Sequence, residues 1–269
     1  MKTFCLSIFG AVFLLAPQLN AAVIVQWDFE NNLNDSSGNA LNMSGGAGFS
    51  YSGTVPGTVI NPGAISDTAS YVPGPKPTPI SLAANTLMTD TFSRGSFTLQ
   101  TFVYLTAATN FQTILWNESG STGSYFSVGG SSSYFDSYNG TGLLSSKTVG
   151  TGLSLNTWHH VAWVGTYTGG NGTLVQYYED GAAVGSGLFL NQAASGAAPR
   201  AHIAPSTKDW QIGGTAGNQF AGRIDMLQLN NTALTPAQFN VAVPEPGTLV
   251  SLALGCGLLL IRRACRRNS

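Results

Sequence analysis

Trp158-His159-His160-Val161-Ala162-Trp163-Val164 opens a run that continues to Tyr167 and stops at Gly169-Gly170-Asn171-Gly172; Thr173-Leu174-Val175-Gln176-Tyr177-Tyr178-Glu179 then leads into Asp180-Gly181. Aromatic and β-branched residues that alternate with others and halt at glycine read as strands, and Asp-Gly after such a run reads as a tight hairpin turn. The pattern recurs upstream, where Phe97-Thr98-Leu99-Gln100-Thr101-Phe102-Val103-Tyr104-Leu105 places Phe97, Leu99, Val103 and Leu105 on one face of an extended chain. Downstream, Phe220 to Asn230 forms a late strand with Ile224, Met226, Leu227 and Leu229 as its apolar positions. No sustained 3.6-residue periodicity competes with this alternation, so residues 22–242 predict an all-β, two-sheet antiparallel sandwich. A helix signal sits at Thr235-Pro236-Ala237-Gln238, an N-cap with proline at the first helical position and glutamine three residues after the cap. It predicts one or two turns ending near Val241. Pro73, Pro75, Pro77 and Pro79 alternate through a stretch that predicts an extended surface loop.

Composition narrows the function. Of 269 residues 43% are apolar, 9% are charged and 33 are glycine, with a formal net charge of -1. Disordered polyelectrolytes and coiled coils need far more charge. Five cations (Lys2, Arg262, Arg263, Arg266 and Arg267) lie at the termini, leaving six against eleven carboxylates in residues 22–242, a net of about -5. A phosphate backbone requires clustered cations, which excludes nucleic acid as a partner. The three cysteines, Cys5, Cys256 and Cys265, are also terminal. The body therefore has no disulfide to rely on, and its stability must come from core burial, for which it is long enough.

The termini read as addresses. Residues 1–21 join Lys2 to a thirteen-residue apolar run, Phe4 to Ala16, and small residues at the exit, which predicts a Sec signal peptide cleaved after Ala21 or Ala22. Such a run is too short to be a membrane anchor. Residues 243–269 carry Val243-Pro244-Glu245-Pro246-Gly247, an uncharged stretch from Thr248 to Ile261, and the arginine cluster. That stretch would be about 21 Å long as a helix, so a span of about 247–261 must draw in its flanks and let the arginines snorkel. Arg262, Arg263, Arg266 and Arg267 place the tail in the cytoplasm and the body outside. The tail resembles the PEP-CTERM sorting signal of Gram-negative bacteria over residues 243–267. The resemblance implies recognition by an exosortase at Val243, Pro244, Glu245 and Pro246, initial anchoring in the inner membrane, and transfer to the cell surface or beyond.

The body in turn resembles the LamG-like, concanavalin A-like jelly-roll sandwiches. Trp27-Asp28-Phe29-Glu30 with Asp35-Ser36-Ser37-Gly38-Asn39 is similar to their opening strand and loop, Phe97 to Leu105 to their "FTLEAWV" strand, and Asn156 to Ala162 with Tyr178 to Gly181 to "W-H-H-V-A … Y-x-D-G". Ile212-Gly213-Gly214, Phe220 to Asp225 and Ala233-Leu234-Thr235 resemble the closing segment. The resemblance implies a non-catalytic binding or structural module, with exopolysaccharide or another surface glycan or protein as partner. It also implies one structural Ca2+ at Asp225, with Asp28 second and carbonyls around Gly45 to Gly48; the alternative is that Asp225 caps a strand end by hydrogen bonds. A purely architectural matrix role and a divergent glycan hydrolase are the competing readings. The glucanase pattern Glu-x-Asp-x-x-Glu is absent, and Glu30, Glu118 and Glu179 are the body's only glutamates, so no catalytic residues are assigned. His159 and His160 point to opposite faces of a strand and cannot share an ion; one ring is expected against Trp158 or Trp163 and the other in solvent. Tyr125, Phe126, Tyr134, Phe135, Tyr138 and Trp210 suit sugar stacking if exposed, but their spacing equally fits half-buried strand positions.

Overall fold

A computed structural model describes residues 22–56, 68–73, 78–119, 122–139, 143–168, 172–190, 206–214 and 218–240. The expected signal peptide, sorting motif, membrane span and arginine cluster lie outside these residues. No helix among the described residues is long and apolar enough to cross a membrane. The strands in chain order are β1 (Val23–Trp27), β2 (Ser44–Ala47), β3 (Ser50–Ser52), β4 (Ser70–Val72), β5 (Thr78–Leu82), β6 (Phe97–Leu105), β7 (Gln112–Trp116) and β8 (Thr122–Val128). They continue with β9 (Ser132–Asn139), β10 (Leu143–Thr151), β11 (Trp158–Tyr167), β12 (Thr173–Glu179), β13 (Ala182–Leu190), β14 (Trp210–Ile212) and β15 (Gly222–Asn230).

Every named pairing is antiparallel. The eight-stranded sheet runs β13-β12-β11-β6-β15-β4-β3, with β1 also paired to β15; the seven-stranded sheet runs β10-β9-β8-β7-β14-β5-β2. The expected sandwich is therefore what forms. One core fills the space between the sheets: Phe97, Leu99, Val103 and Leu105 of β6 meet Phe126, Phe135 and Trp210 of the facing sheet, all essentially inaccessible. Phe126 shows how tightly the layers mesh, with ring centroids 5.0 Å from Phe135, 5.6 Å from Trp163 and 6.3 Å from Phe97. The Asp180-Gly181 hairpin forms as read, with φ of 49° and 79° at its two central residues.

Four local features depart from or add to the sequence reading. A nine-residue helix, α1 (Thr86–Arg94), closes one end of the core, with Asn85 Oδ1 accepting from the Met88 amide at 3.1 Å. Met88 and Phe92 are its buried apolar side chains, too short a stripe to show a helical period. The second helix signal yields just a 3₁₀ turn at Pro236–Gln238, although its capping box forms. Pro79 belongs to β5 rather than to a loop. The register to β14 covers Ile80 to Leu82 and that to β2 pairs Thr78, Ile80 and Ser81, so Pro79 is a paired position in neither ladder. Met226, finally, does not share the face of Ile224. A bulge between Asp225 and Gln228, with Met226 at φ 41°, turns Ile224, Leu227 and Leu229 inward and Met226 outward.

Candidate functional site

The two sheets treat their outer faces differently. On the eight-stranded sheet, the chain after β15 folds back and lays Leu234 and Phe239 on Phe102, Ala162, Val164 and Met226, making a second, smaller core. Beneath it runs a polar chain across four strands. The His160 Nε2 lies 3.0 Å from Gln100 Oε1, Gln100 Nε2 donates to Gln228 Oε1 at 2.7 Å, Gln228 Nε2 donates to Gln26 Oε1, and Gln26 Nε2 donates to Asp28 Oδ1 at 2.6 Å. Asn240 covers it, giving its amide N–H to Gln100 Oε1 and its side-chain NH2 to Gln228 Oε1. Because Gln100 presents its oxygen to His160, the imidazole must donate from Nε2. Burial keeps this ring neutral by lowering the His160 pKa to about 3, against a smaller opposing pull from Asp180.

Both histidines are thus buried, and the expectation of one exposed ring fails. His159 does point to the opposite face, as strand alternation requires. Its Nδ1 lies 2.8 Å from Asp180 Oδ2 and its Nε2 2.7 Å from Ser154 Oγ. The hydrogen bond to Asp180 raises the His159 pKa despite burial. Burial pushes Asp180 upward, but bonds from His159 and from the His160 amide outweigh it and hold this carboxylate below its ordinary value. Glu179 is raised by burial. Ser154, His159 and Asp180 have the order of nucleophile, base and orienter, but Asp180 also accepts the His160 N–H and donates its own to His160 O. The arrangement braces the 152–157 loop and the hairpin against β11. His159, Glu179 and Asp180 form the grouping of metal-capable side chains found among the described residues, a mixed set unlike the all-oxygen shell that calcium prefers.

Asp225 and Asp28 lie on the outer face of the eight-stranded sheet, with Asp225 Oδ1 accepting from the Met226 amide. Pairing of Trp27 with Leu227 sets Asp28 beside the bulge that carries Asp225. Gly45, Gly46 and Ala47 belong to β2 of the other sheet, followed by Gly48. Glu30 accepts from Thr68, Glu118 lies in the connection after β7 and accepts from Tyr125, and Glu179 ends β12, so none of these contacts pairs one glutamate with another.

Among the described residues no second core is laid over the outer face of the seven-stranded sheet. Register places Asp136, Tyr125, Trp116, Gln211, Ser81 and Ser44 side by side across six strands, none of them fully buried. Trp116 and Tyr125 stack with ring centroids 5.5 Å apart and planes 11° from parallel, and the Tyr125 hydroxyl donates to Glu118 Oε2 at 3.2 Å. In the next row, Phe111 and Tyr134 stack at 3.9 Å and 21°. Flat aromatic surface flanked by amide, hydroxyl and carboxylate groups is what a sugar ring needs: an apolar face to lie on and polar groups to read its hydroxyls. Of the aromatics singled out by sequence, Tyr125 and Tyr134 join this face, Phe126, Phe135 and Trp210 are core, and Tyr138 is in β9. Sequence spacing does not single out Trp116. Its only signal is the alternation of Gln112-Thr113-Ile114-Leu115-Trp116, which a bulge between Thr113 and Leu115 interrupts.

A search of curated proteins finds no match to the chain. Among solved structures, domain 4 of AbnA, a GH43 extracellular arabinanase from Geobacillus stearothermophilus, solved with arabinotriose, is similar with a TM-score of 0.54 and 19% identity, over 81% of this chain and 96% of that one. The binding domain of botulinum neurotoxin DC, solved with rat synaptotagmin II, is similar with a TM-score of 0.50 and 14% identity; 81% of this chain matches 50% of that one. At these identities the likeness is one of fold. The Laminin_G_3 family model, described as concanavalin A-like lectin/glucanases superfamily, matches residues 80–240. That match covers more than half of the sequence and runs from β5 to the C-terminal cover of the sandwich, and the chain belongs to this superfamily.

Proposed function

We propose that the protein is an exported, non-catalytic surface or matrix module that binds polysaccharide on the outer face of its seven-stranded sheet. The single observation that carries this reading is the stacked Trp116–Tyr125 pair set in a continuous polar row. Delivery rests on the termini: a Sec signal peptide at 1–21, and a tail at 243–269 that an exosortase recognises through Val243 to Pro246 while Arg262, Arg263, Arg266 and Arg267 hold it in the inner membrane. A structural Ca2+ shared by Asp225 and Asp28 belongs to the same proposal. It predicts that a chelator lowers the melting temperature of the wild type and leaves Asp225→Asn unmoved.

The test is retention on a polysaccharide panel. The wild type should be retained by at least one neutral glycan and release no reducing ends; Trp116→Ala and Tyr125→Ala should lose retention while keeping their melting temperature. Steady release of reducing ends would establish the hydrolase alternative, and retention unaffected by both substitutions would remove this face from consideration.

A further inference from the structure

The covered outer face of the eight-stranded sheet has an uncovered end. One register step beyond His160 and Phe102, Trp158, Tyr104 and Arg223 are direct cross-strand partners, all three half-buried. The Trp158 and Tyr104 rings lie 5.6 Å apart, and the Arg223 guanidinium sits 4.7 Å from the Tyr104 ring centroid. Its Nε donates to Ser52 Oγ at 3.2 Å. These contacts hold the guanidinium in place without neutralising it. Among the described residues no carboxylate lies in ion-pair range of Arg223, and its Nη groups have no hydrogen-bond partner there. A half-buried cation left unpaired in a body with about five surplus negative charges is a group with spare binding capacity.

What Arg223 faces is a cavity of about 330 Å3, at the lower end of the range for small-ligand sites. Thr106 and Gln219 supply a hydroxyl and an amide to its wall, and Val72, Pro73 and Phe220 supply apolar surface. We infer that this cavity is a second binding site, which takes the carboxylate of a uronic acid residue within an acidic polysaccharide. The free edge of the guanidinium matches a planar carboxylate in a two-point contact. One such charge per ring meets one cation, the ring hydroxyls meet Thr106 and Gln219, and the apolar ring face meets Val72 and Pro73. Densely charged polyanions need several clustered cations, and the negative body repels them. The inference rests on the glycan-binding reading for the class of polymer, but it uses none of the residues of the Trp116 row.

The full chain is titrated by calorimetry with galacturonate oligomers, with the same oligomers carboxyl-reduced to neutral galactose, and with a sulfated neutral oligomer, at low and high ionic strength. The wild type should prefer the uronate oligomer over its reduced form by at least about tenfold, with the preference shrinking as salt rises. Arg223→Gln should abolish the preference, Arg223→Lys should keep part of it, and Trp116→Ala should leave it intact. Equal affinity for uronate and reduced oligomers, a preference that survives Arg223→Gln, or stronger binding of the sulfated oligomer overturns the inference. Circular dichroism and melting confirm that each variant folds. Should Arg223→Gln not fold, Gln219→Ala and the salt dependence of the wild type decide, and no change in either is a refutation. Failure of the glycan-binding reading shows separately, as Trp116→Ala having no effect on retention by neutral glycans.

Discussion

The outer faces of the two sheets start from similar material and end differently. Each carries glutamines, serines or threonines and aromatics at alternate positions, and each lies across strands whose other side is pure core. On the eight-stranded sheet, residues 231–240 turn back and seal the middle of that face, so Gln100, His160 and Gln228 become interior groups that must bond to one another. On the seven-stranded sheet Gln211, Trp116 and Tyr125 keep part of their surface. The lesson is that side-chain polarity does not set exposure. What lies on top does, and ten residues of cover turn a polar sheet face into a hydrogen-bonded interior.

Breaking the cover should have the largest effect. Phe239→Ala is expected to cost about 3–5 kcal/mol, a fall in melting temperature on the order of 10 °C, while retention on glycan through Trp116 is unchanged in the surviving folded protein. A loss under about 1 kcal/mol would mean that the second core contributes little. Next is the polar chain. Gln228→Ala strips the acceptor shared by Gln100, Asn230 and Asn240 and should cost about 2–3 kcal/mol in denaturant melts, whereas Gln211→Ala on the seven-stranded sheet should stay within about 0.5 kcal/mol. Equal effects from the two glutamines would erase the distinction between the faces.

The adjacent histidines sharpen the comparison by pH. His160 is held near 3 in the fold against an ordinary value of about 6.5, so the unfolded chain takes up its proton first, and stability should decline as pH falls from about 6.5 towards 3. His160→Gln should flatten that decline. His159 is shifted the other way, so its contribution is complete below about 6.5 and is lost as pH rises through its elevated folded value. His159→Gln should remove the alkaline loss and leave the acid limb alone. Trp116→Ala is expected to cost only about 1 kcal/mol or less in stability, although it should be the most damaging to glycan retention. That reversal between stability and binding is the clearest separation of the two faces.

Much of the sandwich is legible along the chain because a strand's two faces are written as alternation. Phe97, Leu99, Val103 and Leu105 declare the inner side of β6, and Asp180-Gly181 declares its hairpin by the positive φ that both residues accept. Alternation fails where the backbone departs from period two. The bulges in β7 and β15 change which residues look inward, and neither leaves a mark in composition. The α1 helix is marked in the sequence only by its cap, Asn85, since two inward apolar residues make no period. The candidate sites are hardly legible at all. Trp116 and Tyr125 are nine residues apart in sequence, and Arg223 lies 119 positions from the ring that holds it, so only strand pairing brings them together.

From sequence alone come the sheet-forming pattern, the absence of cysteine and of clustered cations in the body, and the terminal segments that read as export signals, because each depends on residues adjacent in the chain. The tertiary structure alone decided which aromatics are core and which are surface, that His159 and His160 are both buried with opposed pKa shifts, and that Arg223 stands unpaired at a cavity among the described residues. Those properties arise from register across strands and from what covers each face, and a linear pattern carries no record of its cover.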